Sequence, residues 1–244
     1  IIVQRKENFF LITKKIQEEF ENVKVVTWEG SFNYSAINNF AVREAQGEYL
    51  LFLNNDVEII TENWLEEMLQ LCQQKDVGMV GAKLYYPDDT IQHAGVVVGL
   101  GGVAAHVLCK LPRDAEGYMG RLRCVQEISA VTAACMMVKT SVFKAVGGFD
   151  EELKVAFNDI DLCMKVRKYG VKIIFTPYAE LYHYESKSRG MEDTPEKQLR
   201  FSREVNCFRR KWERELLKGD PYYNPNLTLN NTDCSLRKQE KNGD

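Results

Sequence analysis

Apolar residues along this chain alternate between short unbroken runs and helical spacing, and the expected elements follow from that alternation. Ile1–Val3 is an apolar run, followed by the polar stretch Gln4–Asn8. Phe9, Ile12, Ile16 and Phe20 then recur every three or four residues, which predicts a helix over 9–20. A strand is expected at Val23–Trp28, and Ser31–Ser35 reads as a loop opening a helix over about residues 36–46, with Gly47 as its C-terminal cap. Tyr49-Leu50-Leu51-Phe52-Leu53 is an unbroken apolar run of the kind found in strands buried on both faces, and it ends abruptly in Asn54-Asn55-Asp56. Thr61 can cap a helix running to about Lys75, with Trp64, Leu65, Met68, Leu69 and Cys72 on its inner side. Val77–Tyr85 reads as a strand, Pro87–Thr90 as a turn and Gln92–Val98 as extended chain.

The second half keeps the alternation after one interruption. Gly99–Gly120 is glycine-rich and has little periodicity, which predicts a long mobile loop. Ser129–Lys139 is strand-like, Ser141–Val146 a short helix, and Gly147-Gly148 its stop. Phe157–Tyr169 is helical, with Leu162, Cys163, Val166 and Tyr169 on one face and Gly170 as cap. Short strands are expected at Val171–Thr176 and Glu180–Tyr184, on either side of Pro177. Pro195 opens a charged helix to about Leu217, and from Asp220 the polar, Asn-rich composition predicts an extended or disordered tail. Strands and helices in alternation imply the α/β class with parallel strands and right-handed crossovers. The expected organisation is one domain over 1–218 and a polar tail over 219–244. Ile1-Ile2-Val3 resembles the middle of a strand, so the chain is expected to be the truncated piece of something longer.

Composition narrows the function. With 244 residues, 45% hydrophobic and 27% charged, the chain can bury a sizeable core. A net charge of −3 gives no electrostatic footprint for nucleic acid. No segment has the length and apolarity of a membrane-spanning helix, and the first residues are not a signal peptide. The seven cysteines are odd in number and dispersed, which favours packed, reduced thiols and a cytoplasmic location.

Four stretches can carry chemistry. Asn54-Asn55-Asp56 sits where the C-terminal tip of a buried strand presents polar groups to the ligand crevice of an α/β sheet, although the same residues also serve as turn punctuation. In Asn158-Asp159-Ile160-Asp161, at a helix start, Asp159 can act as a general base, whereas a plain capping role suits the same positions. Tyr182-His183-Tyr184-Glu185-Ser186-Lys187-Ser188-Arg189-Gly190 sets a histidine beside cations and hydroxyls, a mixture suited to phosphate. His183 would add nitrogen to a metal held by Asp56, an O/N set that suits Mn²⁺ or Mg²⁺ rather than structural zinc. Asn38 and Asn39 lie in a helix beginning just ahead of the central strand, where an anion or a ribose can be bound.

In this order the four stretches resemble the family-2 glycosyltransferases, whose fold is a Rossmann-like GT-A domain. That fold has a mostly parallel central sheet flanked by helices, a small antiparallel portion and a C-terminal helix. The likeness is carried by Asn38-Asn39, Gly47-Glu48-Tyr49, Leu53-Asn54-Asn55-Asp56, Thr132-Ala133-Ala134-Cys135, Gly147-Gly148-Phe149-Asp150, Asn158-Asp159-Ile160-Asp161-Leu162 and His183. It extends from about residue 1 to 190, and within the family it looks most similar to bacterial members that build O-antigen or rhamnan polysaccharides. The resemblance implies inverting, metal-dependent transfer of a hexosyl or deoxyhexosyl group from a nucleoside-diphosphate sugar to a glycan or lipid-linked acceptor. It implies Asp56 and His183 as ligands of Mn²⁺ or Mg²⁺, with Asp159 as the base. Asn38, Asn39, Asn54, Asn55, Lys187 and Arg189 would contact the donor, and the acceptor could bring the protein to the inner face of a membrane. The family's first strand, ending in a Pro-Thr-Tyr-like turn, has no counterpart here.

Two other functions fit parts of the pattern. A sugar-nucleotide pyrophosphorylase uses a similar sheet, but its glycine-rich phosphate loop with a following basic residue is not visible. A catalytically inert glycan- or protein-binding module on the same fold would keep the sheet and lose turnover.

Overall fold

The computed structural model describes residues 1–5, 10–185 and 194–238. The chain begins with β1 (Ile2–Arg5), α1 (Phe10–Glu19), β2 (Val25–Trp28) and α2 (Tyr34–Val42), with β1 and β2 paired in parallel. The apolar run then forms β3 (Tyr49–Leu53), followed by β4 (Val57–Ile59), α3 (Trp64–Cys72) and β5 (Val77–Tyr85). Short strands β6 (Ile91–His93), β7 (Val96–Val98), β8 (Ala104–His106) and β9 (Gln126–Glu127) come next. The last elements are β10 (Cys135–Lys139), α4 (Thr140–Ala145), α5 (Asn158–Tyr169), β11 (Lys172–His183), α6 (Pro195–Lys211) and α7 (Glu213–Lys218).

The central sheet has the order β3-β10-β5-β11-β4, with β6 and β9 attached to β5 and β11. β11 runs parallel to β5, while β10 is antiparallel to both β3 and β5, so β3, β5 and β11 share one direction. The α/β class and GT-A-like layering stand as expected; the antiparallel share includes β10, inside the sheet. β11 is one strand where two were expected, because pairing with β5 resumes at Glu180 after an irregularity at 176–179. Pro177, lacking an N–H, sits in that irregularity.

Helices cover both faces. Trp64, Met68 and Cys72 of α3 pack on Val80, Ala82 and Leu84 of β5 and Met137 of β10. On the opposite face, Leu162, Cys163 and Val166 of α5 and Phe143 of α4 meet Met79, Met136 and Phe175. Every residue of β5 is buried, as a strand covered on both sides requires. All seven cysteines are free thiols, and burial pushes those of Cys72 and Cys135 up to about 12. Among the described residues, no helix is long and apolar enough to cross a membrane.

Two expectations fail for the same reason. The 99–120 stretch is packed rather than mobile: Leu100, Val103, Val107 and Leu108 are buried. Residues 221–238 do not form an extended tail, because Tyr223, Leu227 and Cys234 enter the core. The two hold each other, through Gly101 N–H to Leu229 O at 2.8 Å and Leu108 N–H to Thr232 O at 2.6 Å. Isolated apolar anchors in polar, aperiodic sequence are sufficient for packing but leave no periodic signal.

Candidate functional site

The tip of β3 and the start of α5 meet over one segment, Thr132–Ala134. Asn54 N–H, just beyond β3, donates to Ala134 O at 3.0 Å, and Ala133 N–H donates to Asp159 Oδ2 at 3.2 Å. Tyr34 O–H donates to Ala133 O at 3.1 Å. Burial and the nearby Asp159 carboxylate hold that phenol well above its ordinary value. Gly81 lets the preceding segment cross β5 closely, since a Cβ there would lie 2.4 Å from Val131 Cβ.

His183 ends β11 with its ring beside the β3 tip: Nε2 lies 3.2 Å from Asp56 Oδ1 and 3.1 Å from Asn54 Nδ2. Its Nδ1 lies 2.7 Å from Gln92 Oε1. The Gln92 amide nitrogen donates to His183 O at 3.2 Å and faces Glu185 Oε2 at 3.4 Å, both acceptors, which assigns oxygen to the side facing the ring. Nδ1 therefore carries the proton in the neutral ring, and Nε2 turns a lone pair toward Asp56. Two acceptors facing each other at 3.2 Å fit a shared cation: neighbouring ligands of an octahedral divalent ion are about 3.0 Å apart, given metal–ligand distances of about 2.1 Å. Among the described residues, no cluster of three or more His, Cys, Asp or Glu forms a closed metal cage. The set suits an ion that takes its remaining oxygens from water and phosphate, as Mg²⁺ does.

Asp159 occupies the first turn of α5, where Oδ1 also accepts from Ile160 N–H at 2.8 Å. The residue before the helix, Phe157, has φ 61°, a left-handed conformation that costs a non-glycine residue about 1–2 kcal/mol. Its ring stacks 5.4 Å from Phe208, and buried Glu204 accepts from Val155 and Ala156 N–H at 3.0 Å each. Helix α6 thus clamps the loop that aims Asp159. Deeper in α5, fully buried Asp161 accepts from Trp212 Nε1 and Lys211 Nζ, both at 2.8 Å.

The other two histidines lie under the same site. His93 and His106 face each other through their Nδ1 atoms at 2.8 Å, and Thr132 N–H donates to His93 Nε2 at 3.4 Å. Burial, then His106 and His183, push His93 well below its ordinary value. Burial lowers His106 too, while Asp159 and Glu185 pull it upward and His183 pushes it down. Asp159 joins the β3 tip through two adjacent residues, since it accepts from Ala133 N–H while Ala134 O accepts from Asn54 N–H.

Of the residues singled out in the sequence, Asp56, His183, Asn54 and Asp159 come together. Asn55 stands exposed at the same tip. Asn38 donates to Tyr34 O at 2.8 Å, beside the phenol that reaches Ala133. Asn39 is engaged elsewhere: its amide bridges Phe149 O at 3.0 Å, Phe149 N–H at 2.9 Å and Glu151 Oε1 at 3.0 Å, tying α2 to the Gly147–Phe149 turn. Lys187 and Arg189 lie outside the described residues. Gln92, His93 and His106 were missed, although polar Gln92-His93 interrupting a buried apolar stretch required partners. A cavity of 640 Å³, lined by Arg167, Lys168, Trp212 and Tyr222, lies at the far end of α5, and none of the site residues lines it.

The sequence matches the Glycosyltransferase like family over residues 11–204. An uncharacterised protein, y4gI, of Sinorhizobium fredii is 54% identical over 223 residues, covering 91% of this chain and 24% of that protein. O-antigen biosynthesis protein RfbC of Myxococcus xanthus is 40% identical over 241 residues, covering 98% of this chain and 18% of that protein. The chain thus spans less than a quarter of either relative (24% and 18%). Among solved structures, the mannosyltransferase PcManGT from Pyrobaculum calidifontis, in complex with GDP-Man and Mn²⁺, superimposes with a TM-score of 0.56 at 16% identity, covering 83% of this chain and 50% of that one.

Proposed function

Because this chain belongs to the Glycosyltransferase like family and has the GT-A fold, we propose that it transfers a hexosyl or deoxyhexosyl group, with inversion, from a nucleoside-diphosphate sugar to a glycan or lipid-linked acceptor. The observation that carries this reading is the facing of His183 Nε2 and Asp56 Oδ1 at 3.2 Å, at a strand tip whose Asn54 is joined to Asp159 through Ala133 and Ala134. The relative named for O-antigen biosynthesis supports a cell-surface polysaccharide as the product. The complex of PcManGT with GDP-Man and Mn²⁺ supports a nucleotide sugar and a divalent cation.

Asp56 and His183 would hold Mn²⁺ or Mg²⁺, which when bound supplies positive charge to the departing diphosphate. Asn54 keeps the His183 ring in place, and Asn55 meets the donor's ribose. Asn38 borders the nucleotide from α2, while Asn39, its amide engaged by Phe149 and Glu151, holds that helix against the Gly147–Phe149 turn. Each Asp159 oxygen accepts one backbone N–H and keeps a second lone pair, so the carboxylate can take the proton of the acceptor hydroxyl. The hydroxyl oxygen bonds to the anomeric carbon from one face as the bond to the diphosphate oxygen breaks on the other. A lipid-linked acceptor would bring the protein to the cytoplasmic face of a membrane as a peripheral protein.

The test is release of nucleoside diphosphate from a panel of sugar nucleotides by the purified protein, with and without Mn²⁺. Release should require the cation and should be lost in Asp56→Ala and Asp159→Ala. Unchanged release in both variants overturns the site assignment, and absence of binding to every sugar nucleotide overturns the transferase reading.

A further inference from the structure

The bracket that Gln92 forms around His183 has no catalytic group in it, yet it determines which ring nitrogen is bare. Gln92 is 4% exposed on β6, and its amide grips both the backbone carbonyl and the ring of one residue, His183. Without Gln92, the ring would be left to its two partners on the Nε2 side, Asp56 and Asn54. Asp56 Oδ1 at 3.2 Å favours a proton on Nε2, the atom a metal needs unprotonated. Asn54 also lies on the Nε2 side, its Nδ2 at 3.1 Å, but that amide can turn to present either end and so follows the tautomer, whereas Gln92 and Asp56 pull the proton to opposite ends, and the shorter contact, 2.7 Å to Gln92, lies on the Nδ1 side.

We propose that Gln92 is a positioning residue that locks His183 in its Nδ1–H tautomer, leaving the Nε2 lone pair facing Asp56 for a divalent cation. The inference rests on the metal site of the proposed function for its purpose, but not for its geometry. Gln92→Leu fills similar space while removing both amide contacts. Gln92→Glu keeps an acceptor for Nδ1–H and removes the donor to His183 O.

Long-range ¹H–¹⁵N spectra of ¹⁵N-histidine-labelled protein read the tautomer directly, with no metal and no turnover, at about pH 8, above the usual imidazole range. The chain has only three histidines, and a His183→Gln variant identifies the signals of that ring. The expected result is a protonated Nδ1 and a bare Nε2 in the wild type and in Gln92→Glu, with the proton shifting to Nε2 in Gln92→Leu. Mn²⁺ affinity, measured by titration calorimetry in the presence of a nucleoside diphosphate, should fall about 10–100-fold in Gln92→Leu, the usual cost of losing a partner behind a metal ligand. A wild-type His183 protonated on Nε2 overturns the proposal without any variant. So does a Gln92→Leu protein whose tautomer and Mn²⁺ affinity match the wild type. A wild type with the expected tautomer that binds no Mn²⁺ supports the role of Gln92 in the ring and overturns the metal reading instead.

Discussion

Asp161→Asn removes a fully buried negative charge while preserving its shape, and the structure gives its cost. The carboxylate accepts from Trp212 Nε1 and Lys211 Nζ at 2.8 Å each, and its second oxygen lies 3.3 Å from Lys165 Nζ. Removing one member of a buried ion pair typically costs about 3–5 kcal/mol, because the remaining charge stays desolvated. Here the lysines keep 18% and 34% side-chain exposure, and each keeps another partner: Gly148 O for Lys165 and Asp150, at 2.5 Å, for Lys211. The low end, about 3 kcal/mol, is therefore expected. In a chain this size that lowers the melting temperature by about 6–12 °C. Urea unfolding should show a lower midpoint at an unchanged slope. Adding Lys165→Met to Asp161→Asn should recover part of the loss, since it removes the ammonium left without its carboxylate. A loss below about 1 kcal/mol, or a double variant less stable than Asp161→Asn, would refute the claim that the Asp161 cluster secures α5 through buried charge.

Two further outcomes follow from the site's supports. His93 is fully buried and held well below its ordinary value of 6.5, so the unfolded chain takes up a proton that the folded one refuses. Its contribution is absent above about pH 6.5, and stability falls below that by up to about 1.4 kcal/mol per pH unit. Denaturant titrations of His93→Gln should show a correspondingly flatter dependence between about pH 6.5 and 5.5, and an equal slope would exclude His93 as the cause. Gly148 has φ 66°, and a Cβ there would meet Asn39 Oδ1 at 2.7 Å. Gly148→Ala should cost about 2–3 kcal/mol, from the left-handed backbone and the disturbed Asn39–Phe149 bond. Gly147→Ala, with φ 80° and open space around it, should cost only about 1–2 kcal/mol, and equal thermal shifts would remove Asn39 from the explanation.

How much of this was legible in the sequence follows from how each residue is held. Asp56 and His183 could be read because each terminates a strand whose apolar run is visible, and strand ends are where an α/β sheet presents ligands. Asp159 could be read as a helix start, but not its contact with Ala133, which depends on the left-handed Phe157 and the Glu204 clamp from α6. Gln92 belongs with a histidine 91 positions later, and nothing local to either residue encodes that pairing. The direction of β10 was equally silent, because an apolar strand buried on both faces reads the same whichever way it runs. Tyr223 and Leu227 anchor the C-terminal region singly, so composition overruled them in the sequence and packing restored them in the fold.

The central claim is that the tips of β3 and β11 form one cation site opposite Asp159. Anomalous scattering from Mn²⁺ in crystals grown with a nucleoside diphosphate tests it most directly. The expected result is a peak bonded to both Asp56 Oδ1 and His183 Nε2, with diphosphate oxygens completing its coordination. A nucleotide bound with no peak between those two atoms, or with the peak on other side chains, would contradict it.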